Sequence, residues 1–252
     1  MEMKQIGLGA FWNTGTREEE LKVHFPDSLV TIGEGAFSQA PIKTAELPES
    51  LISIGRRAFY ETKLTEIFIP QNVSEIGSGA FALCDNLTKF EVASDNPYFT
   101  SYDGVLYRKD FSEIIYVPSQ MTGTLEIHSG PTEIKPYQLA GLHVSEIIVP
   151  ETVIKIGDNA FERNNSLKKI TLPTGLKEIG AQAFNEVNTL EELYIPDSVT
   201  SLGNGILQNC NSLISVHLPD GIKIIPNDMF FGCAALKEFT IPESVTEIDS
   251  RA

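Results

Sequence analysis

Apolar positions recur along this chain with a period of 22 or 23 residues. One unit runs Leu64-Thr65-Glu66-Ile67-Phe68-Ile69-Pro70-Gln71-Asn72-Val73-Ser74-Glu75-Ile76-Gly77-Ser78-Gly79-Ala80-Phe81-Ala82-Leu83-Cys84. Ten such units align to the pattern L-x-x-I-x-I-P-x-x-V-x-x-I-G-x-x-A-F-x-x-C, and two of them carry Ala93 or His128 in place of the proline. The I-x-I pair alternates as a strand with one buried face does. Proline ends that strand because it cannot donate to a ladder. V-x-x-I is a second short extended piece that turns its apolar residues inward.

Glycine follows at Gly33, Gly55, Gly77, Gly157, Gly180 and Gly203. The expectation there is a corner conformation open to φ > 0. A small alanine lets the coil close. The next column holds Phe11, Phe37, Phe59, Phe81, Phe161, Phe184 and Phe230, with Leu139 and Leu207 substituting. One unit cannot bury these groups alone, whereas stacked units form a continuous spine and wall. The pattern therefore predicts a repeat solenoid of about ten coils, mainly β with short turns or 3-10 segments, filling residues 1–252 as one array.

That array is cut at both ends. Ile6-Gly7-Leu8-Gly9-Ala10-Phe11 is the second half of a unit, and Ile248-Asp249-Ser250-Arg251-Ala252 stops before the expected Phe. The expectation is a fragment of something longer, or capping by other means. One insertion, residues 95–118, interrupts the period. Asn96-Pro97 and Asp103-Gly104 mark turns, and Val105–Tyr107 with Ile114–Val117 read as two strands of a protruding β-hairpin. Tyr98, Phe99, Tyr102 and Tyr107 are a secondary candidate contact site, against the alternative that they pack the hairpin onto the solenoid.

The unit resembles the BspA-like, or Treponema-type, leucine-rich repeat. The insertion, with Asn96, Ser101, Asp103-Gly104-Val105-Leu106-Tyr107 and Lys109-Asp110, is similar to a hairpin often found within arrays of that family. The resemblance covers essentially the whole chain. It implies a leucine-rich repeat solenoid from a bacterial cell surface, typically of oral or gut bacteria, with a role in adhesion through binding of a host protein or glycan.

Composition narrows this further. Apolar residues make 42% and charged residues 21% of the chain, an ordinary globular balance. Nineteen basic against 34 acidic residues give a formal charge of −15. Such a surface repels nucleic acid and anionic membranes. No apolar run is long enough to insert into a bilayer. The start, Met1-Glu2-Met3-Lys4, is not a secretory signal, so the alternatives are a cytoplasmic protein or a cell-surface or secreted one whose signal lies elsewhere. Cys84, Cys210 and Cys233 form no CxxC pair and are expected as buried free thiols in one inward column. His24 and His217 share a strand column eight units apart. No metal site, cofactor site or catalytic constellation can be assembled from these spacings.

Within each I-x-I strand, the positions four and two residues before the proline face outward, because the alternate residues face the core. These two columns contain seven glutamates and three lysines, so the face suits a basic or neutral protein or glycan partner. Phe68, Ile148, Tyr194 and His217 break that polar background, and Glu192 lies beside them. These five residues are the candidate contact site, with ordinary cross-strand packing as the alternative. The function classes left open are a non-catalytic binding module, a structural spacer without its own ligand, and an intracellular repeat scaffold; a monomer is expected.

Overall fold

The computed structural model describes residues 3–15 and 19–252. The chain divides into two compact units. One comprises the N-terminal repeats through Asp110 together with Ile114–Gln120, and the other comprises Phe111–Glu113 with Met121–Ala252. Each is a solenoid of the same coil, and no helix occurs among the described residues. The arcs between strands are turns rather than short 3-10 segments.

Both strand signals form parallel ladders. In the first unit Glu66–Ile69 pairs with Lys89–Val92, setting Ile67 beside Phe90 and Phe68 beside Glu91. In the second unit Thr124–Glu126, Glu146–Ile148 and Lys169–Thr171 form one ladder. Glu192–Tyr194, Ser215–His217 and Glu238–Phe239 form another. The V-x-x-I segments build a second wall: Gln5–Ile6, Thr31–Ile32, Ser53–Ile54 and Glu75–Ile76 in the first unit, and Glu133–Ile134 through Ser201–Leu202 in the other. The first two I-x-I segments, 22–24 and 44–46, are not strands.

Register places like residues in line, and the core follows from that. Phe11, Phe37, Phe59 and Phe81 stack at centroid distances of 5.1, 5.4 and 5.6 Å, and Phe161 stacks on Phe184 at 5.1 Å. Leu139 and Leu207 fill the same column and are fully buried. Ala36, Ala58, Ala80, Ala160 and Ala183 beside the spine are sealed from solvent, so a larger side chain there would collide within a close-packed interior.

The glycine column has a different cause from the one the sequence suggests. Gly33, Gly55, Gly77, Gly157, Gly180 and Gly203 are not in the left-handed region. A Cβ on Gly55 would lie 2.6 Å from the Glu34 backbone nitrogen, and one on Gly77 2.4 Å from that of Arg56. Glycine is required there because consecutive coils approach backbone to backbone. The left-handed residues instead flank the spine, two before and two after it. Gly35 and Gln39 surround Phe37, Arg57 and Glu61 surround Phe59, and Gln182 and Glu186 surround Phe184, with φ between 54° and 62°. Non-glycine residues at such angles are strained, by roughly 1–2 kcal/mol each. The stacking holds them: Gln39 donates its backbone N–H to Tyr60 and Glu61 to Ala82, each in the next coil.

The insertion carries three strands and lies against its unit rather than protruding. Phe99–Tyr102, Val105–Arg108 and Ile114–Tyr116 form an antiparallel sheet, with a register shift between Leu106 and Tyr107. Asp103 and Gly104, at φ 48° and 77°, make the two-residue turn between the first two strands. The sequence pattern omits the strand at 99–102 because its only apolar signal is aromatic and next to a turn. Docking is direct. Phe90 donates its backbone N–H to Gly104 (2.8 Å), and the Tyr116 ring meets Phe81 edge-on at 5.7 Å. Asn96 is fully buried; its amide donates to the carbonyls of Pro70 and Val73, and its oxygen accepts from Tyr98 and Phe99.

The three cysteines are free thiols. Each lies three residues past the spine and donates to the spine carbonyl of the preceding coil: Cys84 to Phe59 at 3.1 Å, Cys210 to Phe184 at 3.0 Å, Cys233 to Leu207 at 3.1 Å. Asn164 replaces cysteine in this column and bonds the Leu139 carbonyl in the same way, at 2.8 Å. Cys84 and Cys210 are buried and Cys233 is half-buried, because Cys233 lies toward the more exposed last coils.

Candidate interaction surfaces

The outward columns of the I-x-I ladders form the first surface. Lys89 is bonded to Glu91 at 2.6 Å and to Glu66 at 3.2 Å, which raises its ammonium above the usual lysine range. Lys169 meets Glu146 at 2.7 Å, and this hydrogen bond holds the Glu146 carboxyl below its ordinary value. Two of the three lysines in these columns are thus already paired. Glu192 and Glu238 have no ion pair among the described residues, so the exposed charge on the second unit's last ladder is acidic.

The five candidate residues are divided between the units, Phe68 in the first and the other four in the second. Phe68 is exposed and sits beside Glu91 in the first unit. Ile148 is half-buried between Glu126 and Thr171. Tyr194 and His217 do meet: the register pairs them, and their rings stack at 4.3 Å and 5°. Tyr194 is 58% exposed. The His217 Nε2 lies 3.1 Å from Asp197 Oδ1. That bond, with the Asp220 backbone N–H also donating to Asp197, keeps the Asp197 carboxyl below the usual aspartate range. Glu192 is exposed on the same strand as Tyr194. Asp197, which sequence reasoning passed over, fixes the imidazole; its signal was its place just after Pro196, on the rim of the outward face.

The insertion divides its aromatics. Phe99 and Tyr107 are 1% and 0% exposed and belong to the core, so they offer no surface to a partner. Tyr98 and Tyr102, in contrast, remain exposed.

The glycine column creates a third feature. With no side chain at Gly33, Gly55 and Gly77, the wall of the first unit opens into a trough of about 510 Å³. Its sides include Thr31, Ser53 and Glu75, each just before an Ile, and Glu34 and Arg56, each just after a Gly. Arg108 from the insertion lines it as well. The second unit has the matching trough, about 490 Å³, over Gly157, Gly180 and Gly203. Among the described residues no group of three His, Cys, Asp or Glu is placed to hold a metal ion. No helix of the described residues is long and apolar enough to cross a membrane.

The profile of the BspA type leucine-rich repeat region matches residues 2–122 and 132–252, with six copies, and the chain belongs to that family. No curated protein matches the sequence. Among solved structures, a leucine-rich cell surface protein of Faecalibacterium prausnitzii A2-165 is 25% identical, with a TM-score of 0.73, over 96% of this chain and 61% of that one. The pneumococcal vaccine antigen PcpA is 27% identical, with a TM-score of 0.75, over 98% of this chain and 63% of its own. A leucine-rich repeat protein of Eubacterium ventriosum shares the fold at 23% identity and a TM-score of 0.74, over 98% of this chain and 79% of that one. The chain thus spans about three fifths of the length of the first and second of these relatives.

Proposed function

We propose that this chain is a non-catalytic recognition module of a bacterial cell-surface protein, and that it grips a protein partner through the outward face of its I-x-I ladders. The observation that carries the reading is the Tyr194–His217 stack, aligned by strand register and tied down by Asp197. Aromatic side chains ordered before binding lose little freedom in a complex and are typical anchors of protein interfaces. The acidic surround of Glu192 and Glu238 selects a basic or neutral surface and raises its association rate. Support also comes from the cell-surface description of the F. prausnitzii relative and from the antigen status of the pneumococcal one. The family is one of repeat proteins rather than catalysts, and adhesion is the activity that a rigid, extracellular binding face serves.

The test is a surface-display capture of host extracellular proteins followed by affinity measurements on the partner found. Tyr194→Ala and His217→Ala should each weaken binding by at least ~1 kcal/mol, and added salt should slow association. Unchanged affinity in both variants, together with loss of binding in Tyr102→Ala, would move the site to the insertion.

A further inference from the structure

The glycine-floored trough of the first unit does not belong to the strand-face site. We propose that it binds a linear, uncharged oligosaccharide. Its floor consists of Gly33, Gly55 and Gly77, whose backbone N–H groups are all consumed by the carbonyls of Ile6, Ile32 and Ile54. An extended peptide would therefore find no free ladder to join. Apolar side-chain pockets are missing too, because Ile32 and Ile54 are buried beneath the floor. What the trough does present is a mixture of donors and acceptors. Thr31 and Ser53 supply hydroxyls in adjacent coils, 3.3 Å apart. Glu34 and Glu75 supply carboxylates, and Arg56 and Arg108 supply guanidiniums.

Two carboxylates against two guanidiniums leave this trough neutral in a chain whose formal charge is −15. Arg56 already pairs with Glu34, so the lining itself carries no net charge to select an ion of either sign. Sugar hydroxyls both donate and accept, and so can meet hydroxyls, carboxylates and guanidiniums in one groove. The trough, of about 510 Å³, is partly open to solvent, a shape that can accept a chain laid along it. The insertion makes it specific to this unit: the guanidinium of Arg108 is held 5.2 Å from the Phe99 ring, and Tyr116 Oη donates to the Gly77 carbonyl at 3.4 Å. In the matching trough of the second unit Glu133, Asp158 and Glu178 face only Lys155, so the same backbone frame carries a net negative charge.

The experiment is titration of the whole chain with maltohexaose, cellohexaose and xylohexaose, read by calorimetry and by protein NMR shifts. Polygalacturonate and a lysine-rich peptide serve as charged comparators. At least one neutral oligosaccharide should bind. Arg108→Ala and Glu75→Gln should each weaken it about tenfold or more, with melting curves showing that both variants fold. Glu178→Gln, in the other trough, should leave binding unchanged. The proposal is overturned if no neutral oligosaccharide binds, if either charged comparator shifts the Gly33, Gly55 and Gly77 amides more strongly than the oligosaccharides do, or if Glu178→Gln is as damaging as Arg108→Ala.

Discussion

Tyr194 and His217 lie one repeat apart in sequence, yet their rings are 5° from parallel and 4.3 Å apart. Parallel, in-register pairing of Glu192–Tyr194 with Ser215–His217 puts them at the same height on the same face. The stack is therefore a product of repeat length: one residue more or fewer in that coil would separate the rings. A double-mutant cycle should show a coupling of about 0.5–1.5 kcal/mol between Tyr194→Ala and His217→Ala in urea unfolding. Strict additivity would mean that the rings are neighbours without mutual stabilisation.

Glycine at two nearby positions should respond to substitution in different ways. Gly55→Ala places a methyl 2.6 Å from backbone atoms of the preceding coil, and the expected loss is about 1–3 kcal/mol or more, as for overpacking. Gly35 has open space around it but a φ of +60°, so Gly35→Ala should cost roughly 1 kcal/mol through backbone strain alone. Denaturant midpoints that place Gly35→Ala as the more damaging change would contradict the close-approach explanation.

Spine and outward aromatics provide a second contrast. Phe59 is fully buried between Phe37 and Phe81, and Phe59→Ala should destabilise its unit by about 3–5 kcal/mol. Phe68, exposed on the outward column, should tolerate Phe68→Ala within about 0.5 kcal/mol. Chemical denaturation followed by circular dichroism measures both.

The thiols predict an alkaline limit. Burial pushes Cys84 up to about 11 and Cys210 up to about 12, from an ordinary 9.0. Cys233 rises to about 11, also by burial. Above pH 9.0 the unfolded chain releases these protons while the folded one retains them. The unfolded state then binds fewer protons, so stability falls as pH rises, and it levels off once the folded thiols ionise near 11 to 12. Cys84 and Cys210 should each contribute a slope of at most about 1.4 kcal/mol per pH unit, and the more exposed Cys233 less. Unfolding midpoints measured from neutral to alkaline pH should show this decline, and Cys84→Ser with Cys210→Ser should flatten it. At neutral pH a thiol reagent should label none of the three quickly until denaturant is added.

Much of this molecule is written in local pattern. The spacing of Pro48, Pro70, Pro173 and Pro196 defines the coil, and the alternation in Ile67-Phe68-Ile69 assigns inner and outer faces without reference to any distant residue. That is why the solenoid, the Phe spine, the cysteine column and the exposure of Tyr194 were all legible. Three things depended on how coils stack. The role of Gly55 comes from the backbone of the preceding coil, which no local signal contains. The left-handed positions fall on residues as unlike as Arg57, Gln182 and Asn209, because the hydrogen bond that each backbone N–H donates to the next coil, to Ser78, Asn204 and Phe231, holds the residue whatever its type. The insertion's path was equally hidden. Burial of Phe99 and Tyr107, exposure of Tyr98 and Tyr102, and delivery of Arg108 to a trough built by residues 31–77 all follow from the sheet folding back onto its own unit. Sequence periodicity determines what repeats, and tertiary packing decides where the non-repeating residues meet it.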